Sequence, residues 1–194
     1  MAGPVEVLGR VPAGRALTRS GAQPGDLLCV GGELGNAAGA LPLVLGQRSA
    51  DAAIADPLLA HYWSPQPQLG LGLALRGKAT SAMDISDGLL ADCGHIATAS
   101  AVSLLIERQR LPLSQALLAF VGDDAARIAA LSGGDDYVLV FTLPPVELAP
   151  LLADGWPVHV IGRVEAGQGV TLLDANGQDI TPAIRGYQHF RGTP

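Results

Sequence analysis

Two carboxylates and a hydroxyl fall within four residues in Met83-Asp84-Ile85-Ser86-Asp87-Gly88-Leu89. Small and apolar residues from Ala79 to Ile85 read as a strand, and a helical pattern follows Gly88. At such a junction Asp84 and Asp87 can point to one side. Carboxylates held close repel, so one must take a proton or a cation must sit between them. Magnesium suits that role, because it takes oxygen ligands and bridges to phosphate oxygens. Backbone N–H groups opening the next helix favour an anion, and Gly88 lets a ligand approach the main chain. The same spacing also fits a helix N-cap at Ser86 or Asp87, with Asp84 merely exposed.

Leu131-Ser132-Gly133-Gly134-Asp135-Asp136-Tyr137 precedes a buried strand. Paired glycines allow a tight turn, and two acids at its exit can face a cleft or simply meet solvent. Arg15 and Arg19 lie in a Gly/Ser loop, Gly14 to Gly21. A guanidinium there can pair bidentately with phosphate or stand solvated at the surface. Gly186-Tyr187-Gln188-His189-Phe190 puts aromatics near the C-terminus, for packing or for stacking on a ligand. Gly122-Asp123-Asp124 resembles an acidic metal loop, but it opens a helical run, where acids cap and complement the dipole. His61, His95, His159 and His189 share no ligand spacing. Walker and nucleophile-elbow patterns are both missing from the sequence.

The elements that must position these groups alternate between strand and helix patterns. Strands are expected at Val5–Val11, Leu27–Val30, Ala79–Ile85, Val102–Ile106, Tyr137–Leu143, Val158–Val164 and Val170–Leu173, the last closing on Asn176-Gly177. Helices are expected from a cap at Asn36 to Leu45, and at Ala50–Tyr62, Leu113–Phe120, Asp124–Leu131 and Val146–Leu152. Another follows Gly88, with Leu89, Cys93 and Ile96 on one face. Pro24-Gly25-Asp26 marks a turn. The class is therefore α/β or α+β around a layered sheet.

With 194 residues, of which 48% are hydrophobic and 15% charged, the chain can bury a core without staples. A net charge of −6 argues against nucleic acid as partner. Cys29 and Cys93 are too far apart in sequence for a Cys-x-x-Cys pair and read as buried thiols. The sequence shows neither a signal peptide pattern nor an apolar run of membrane-spanning length, which predicts a cytoplasmic protein and no membrane partner.

Taken in order, GRALTRSGAQPGD (Gly14–Asp26), DISDGL (Asp84–Leu89), LSGGDDY (Leu131–Tyr137) and GYQHF (Gly186–Phe190) resemble the thiamine-monophosphate kinase family over nearly the whole chain. DISDGL alone would indicate only the wider superfamily of aminoimidazole ribonucleotide synthetase, selenophosphate synthetase and a hydrogenase maturation factor. The resemblance implies the layered α/β/α C-terminal domain of the aminoimidazole ribonucleotide synthetase type, with the N-terminal domain largely absent. Residues 1–20 would be a remnant strand and loop of that domain, and residues 21–194 the C-terminal domain.

The implied activity is phosphorylation of thiamine phosphate to thiamine diphosphate by ATP with Mg2+, without a protein nucleophile; the homodimer is expected for the full-length family, and this C-terminal portion is expected to be inactive alone. Asp84 and Asp87 match the family's magnesium ligands. Arg19 and Ser86 match ATP contacts, and Asp135 and Tyr187 match substrate contacts. Asp135 stands where the family usually has glutamate, and Asn36 where Leu-Gly-Asp is common. The alternatives are another ATP-dependent enzyme of the superfamily, and a truncated, non-catalytic domain.

Overall fold

The computed structural model describes residues 9–182, and in them six strands form one mixed sheet. These are β1 (Leu27–Val30), β2 (Ser81–Asp84), β3 (Ser103–Glu107), β4 (Leu139–Leu143), β5 (His159–Glu165) and β6 (Gly169–Leu173). Their spatial order is β2-β4-β1-β5-β3-β6. Neighbours run antiparallel, save the parallel pair β3 and β6. β2, which ends on Asp84, is thus an edge strand, and β4 beside it leads back to the Gly133-Gly134 loop.

The helices are α1 (Asn36–Val44), α2 (Ala52–Trp63), α3 (Leu69–Leu75), α4 (Leu89–Ser100), α5 (Gln115–Val121), α6 (Asp123–Ser132) and α7 (Leu148–Ala153). Successive strand residues face opposite ways, so Leu28 and Val30 join one core while Cys29 joins another. Against the first face α4 lays Leu89, Cys93 and Ile96, all fully buried. Against the second, α3 and α7 bring Leu71, Leu75 and Leu151 onto Phe141 and Leu143. A third cluster joins Ala40 of α1, Leu58 of α2, Leu117 of α5 and Ala126 of α6. Helices therefore cover both faces, and the layered α/β/α arrangement expected from the sequence is present. Both cysteines are buried and unbridged. Among the described residues no helix is long and apolar enough to cross a membrane.

The structure departs from expectation at Gly9–Val11, at α3 and at Asn36. Of the strand expected at Val5–Val11, Gly9–Val11 takes no strand conformation, and the rest lies outside the described residues. The helix α3 was not expected, because its Leu-Gly-Leu-Gly run has poor intrinsic propensity. Burial of Leu71 and Leu75 overrides that propensity, and Gly70 gives Trp156 its place: a Cβ there would lie 2.9 Å from the indole ring. Asn36 is not an N-cap. It is the first residue of α1, behind Gly35 at φ 80°, and its buried Oδ1 accepts the Ser114 hydroxyl at 2.6 Å.

The loop before β1 is pinned at several points. Ala82 N–H donates to the Thr18 carbonyl at 2.8 Å. The Ser100 hydroxyl oxygen accepts from Gly21 and Ala22 N–H at 3.1 and 3.2 Å. Asp26, in the expected turn, is buried and accepts from Gln23 N–H and the Thr80 hydroxyl at 2.9 and 2.6 Å.

Candidate functional site

The two acidic motifs form one unit. Ile85 N–H donates to the Val138 carbonyl and Tyr137 N–H to the Ile85 carbonyl, both at 2.9 Å, and Asp135 N–H donates to the Ser86 carbonyl at 3.1 Å. The glycines permit this approach. A Cβ on Gly134 would collide with the Ser86 carbonyl oxygen, and one on Gly88 would lie 2.9 Å from the backbone of Ser132. Beyond Gly134, Asp135 and Tyr137 both take left-handed backbone conformations, at φ 67° and 52°.

Asp92, in the first turn of α4, holds the first motif from beneath. Its Oδ2 accepts the N–H groups of Ser86 and Asp87 at 2.9 and 3.1 Å. The residue is only 1% exposed, and Oδ1 is buried with no hydrogen-bond partner among the described residues. Burial pushes its pKa up against those two N–H donors, with the Asp87 charge raising it further and His95 opposing. The capping alternative therefore fails: α4 begins behind Gly88 with no side-chain cap, so neither Ser86 nor Asp87 is used there. Asp84 is exposed, while Ser86 and Asp87 are half-buried.

One carboxylate bonds the Tyr137 phenol and two more act on it through charge. The Tyr137 hydroxyl donates to Asp135 Oδ1 at 2.9 Å. That bond, then partial burial and the charges of Asp135, Asp84 and Asp87, hold the Tyr137 hydroxyl above its usual pKa. Among the described residues no cluster of three or more His, Cys, Asp or Glu side chains is disposed to hold a metal ion. Asp84 and Asp87 carry the hard oxygen donors that magnesium takes, and phosphates and water would have to complete its shell there.

Beside Asp84 lies a groove of about 960 Å³, walled by Leu69 and Leu73 of α3, by Tyr137, and by Arg15 and Arg76. Arg19, Ser86, Asp87 and Asp135 are outside its lining. Of the two loop arginines it is thus Arg15 that reaches the groove, its guanidinium lying over Gly77, where a Cβ would be 2.5 Å from Nη1. Arg19 is exposed on the pinned loop, its carbonyl accepting from Ser100 at 3.3 Å. Tyr187 lies outside the described residues.

Sequence reasoning missed the two buried acids that shape the site. Asp92 was hidden inside a helical pattern, where an acid reads as a solvated face. Asp136, which its place beside Asp135 at a turn exit sends to a cleft or to solvent, is instead 2% exposed and caps α1 from a distance, accepting Gly35 N–H at 2.6 Å and Ala37 N–H at 3.4 Å. Burial raises its pKa to about 7 despite those donors, with the Asp135 charge adding to the rise. Gly35, which has no side chain to offer as a cap, is the only local signal for it. The acids set aside at the start of α6 do not cap. Asp123 pairs with Arg127 at 2.8 Å and Asp124 with Arg108 at 2.6 Å.

Residues 23–175 match the family described as AIR synthase related protein, C-terminal domain. The thiamine-monophosphate kinase of Escherichia coli K12 is 41% identical over 187 residues, covering 94% of this chain and 58% of that protein. The kinase of Pyrococcus horikoshii is 36% identical over 178 residues, covering 92% and 54%. The chain thus spans little more than half the length of these relatives. Among solved structures, the thiamine-monophosphate kinase of Stenotrophomonas maltophilia K279a superposes with a TM-score of 0.79 at 41% identity, over 87% of this chain and 55% of that one. AaThiL complexed with AMPPCP and TMP superposes with a TM-score of 0.77 at 33% identity, over 90% and 54%.

Proposed function

This chain belongs to the AIR synthase related family through its C-terminal domain, and from that premise we propose that it forms the nucleotide- and metal-facing part of a thiamine-monophosphate kinase. In that reading the γ-phosphoryl group of ATP passes to the phosphate of thiamine phosphate, giving thiamine diphosphate. The observation that carries it is the backbone union of the DISDG and SGGDD loops, which brings the charges of Asp84, Asp87 and Asp135 within electrostatic reach of Tyr137. The names of the relatives and the AMPPCP and TMP complex of AaThiL support it.

Asp84 and Asp87 would hold Mg2+, which neutralises phosphate charge when bound. Ser86 and Arg19 are assigned to ATP, Arg19 carrying no side-chain ion pair among the described residues that would compete. Asp135 and Tyr187 are assigned to thiamine phosphate. No protein nucleophile is needed, since phosphoryl transfer of this kind depends on alignment and charge neutralisation. Asp92 keeps the backbone of Ser86 and Asp87 in place while these ligands bind. The reading also places the protein in the cytoplasm and in a homodimer.

Because the chain spans 58% of the E. coli kinase, the test is of binding. Calorimetric titration with AMPPCP should show association that requires Mg2+. Asp84→Asn and Asp87→Asn should each weaken it by about tenfold or more, as loss of a metal-site group does, with unfolding midpoints close to wild type. A folded wild-type chain that ignores millimolar nucleotide and Mg2+ sinks the proposal. Preference for aminoimidazole precursors or selenide over thiamine phosphate would favour another superfamily activity.

A further inference from the structure

We propose that Tyr137 is a positioning residue, whose hydroxyl aims the Asp135 carboxylate at the cationic thiazolium ring of the substrate while its ring walls the groove beside Asp84. The inference rests on the kinase reading and adds a residue that neither the motifs nor the comparisons assign.

Backbone conformation is the first argument. A bulky aromatic at φ 52° is an outlier that costs energy, and such outliers persist where surrounding structure over-determines them, often at functional sites. Here the Tyr137 N–H bond to the Ile85 carbonyl and the Ile85 N–H bond to the Val138 carbonyl hold it. Strand packing alone gives no reason for the strain, because Tyr137 precedes β4 and is 41% exposed.

The second argument is the hydroxyl. Its bond to Asp135 Oδ1 at 2.9 Å is the side-chain hydrogen bond that Asp135 makes among the described residues. Without it the carboxylate could turn away from the Asp84 and Asp87 charges into solvent. With it, the short aspartate arm is fixed to one orientation. The third argument is location. Tyr137 and Asp84 share the groove, whereas Asp135 lies outside its lining. The phenol therefore joins the carboxylate to the apolar space where a flat ring can lie.

The experiment compares wild type, Tyr137→Phe, Asp135→Asn and the double variant in this chain. Titrations use thiamine phosphate alone and AMPPCP with Mg2+. Tyr137→Phe keeps the ring and the backbone bonds, so it should fold as wild type. It should weaken thiamine phosphate about tenfold, the scale of one hydrogen bond to a charged group, and leave AMPPCP affinity unchanged. Added to Asp135→Asn it should cost little more. Unchanged thiamine phosphate affinity overturns the proposal, as does equal weakening of both ligands with a lowered unfolding midpoint. If wild type binds AMPPCP with Mg2+ but no thiamine phosphate, the assignment of Asp135 to that substrate fails while the nucleotide part of the kinase reading stands. The positioning claim is then decided by the Asp135 carboxyl 13C resonance, which must move in Tyr137→Phe; an unmoved resonance overturns it.

Discussion

The backbone N–H of Asp135 donates to the carbonyl oxygen of Ser86 at 3.1 Å, although the two residues stand 49 positions apart in the sequence. Gly134, adjacent in sequence, makes that approach sterically possible, since any Cβ there would run into the same carbonyl. The obstacle is backbone, which cannot swing aside as a flexible side chain could. Gly134→Ala should therefore destabilise the fold by about 1–3 kcal/mol, the usual cost of overpacking. It should also part the two loops, weakening Mg2+-dependent AMPPCP binding more than its loss of stability explains. Urea unfolding and calorimetry check this together; a variant matching wild type in both would show that the loops tolerate separation.

Asp92 supplies the second test, because its carboxylate is the acceptor for two amides of the DISDG loop. Asp92→Ala removes that acceptor and leaves the N–H groups of Ser86 and Asp87 to find other partners. An unsatisfied buried donor costs about 1–3 kcal/mol, so the alanine variant should lose stability on that scale. Asp92→Asn keeps an oxygen for both donors and places its NH2 where Oδ1 now lacks a partner. It should lose less than the alanine variant and bind AMPPCP with Mg2+ more tightly than that variant does. Equal unfolding free energies for all three proteins at pH 7 would remove Asp92 from the support of the loop.

The candidate motifs were legible because their residue types are costly to place without a reason: paired acids beside glycines at a strand end. The strands were legible from apolar runs such as Leu27–Val30 and Leu139–Leu143. What sequence could not show was long-range pairing of polar atoms. The N-cap of α1 comes from Asp136, 101 residues beyond Gly35, so the local sequence pointed to Asn36 instead. That Arg15 rather than Arg19 reaches the groove likewise depends on where Gly77 falls in space. Helix α3 was invisible because its stability comes from burying Leu71 and Leu75 rather than from its glycine-rich sequence.

Asp136 makes the pH dependence of stability a direct readout of this remote cap. Its pKa rises from an ordinary 3.8 to about 7 in the folded chain, chiefly through burial. Between those values the native state keeps a proton that the unfolded state has released, so unfolding releases a proton and stability falls as pH rises. The loss begins above the unfolded value, is complete once pH passes the folded value, and amounts to at most about 4 kcal/mol. Asp136→Asn cannot ionise, yet its amide oxygen can still accept the Gly35 N–H. The variant should gain stability relative to wild type on going from pH 5 to pH 8, and its own profile should be flatter across that window. Urea unfolding of both proteins at the two pH values measures the difference. Parallel profiles would mean that the carboxylate stays ionised throughout, with the amides of Gly35 and Ala37 outweighing its burial.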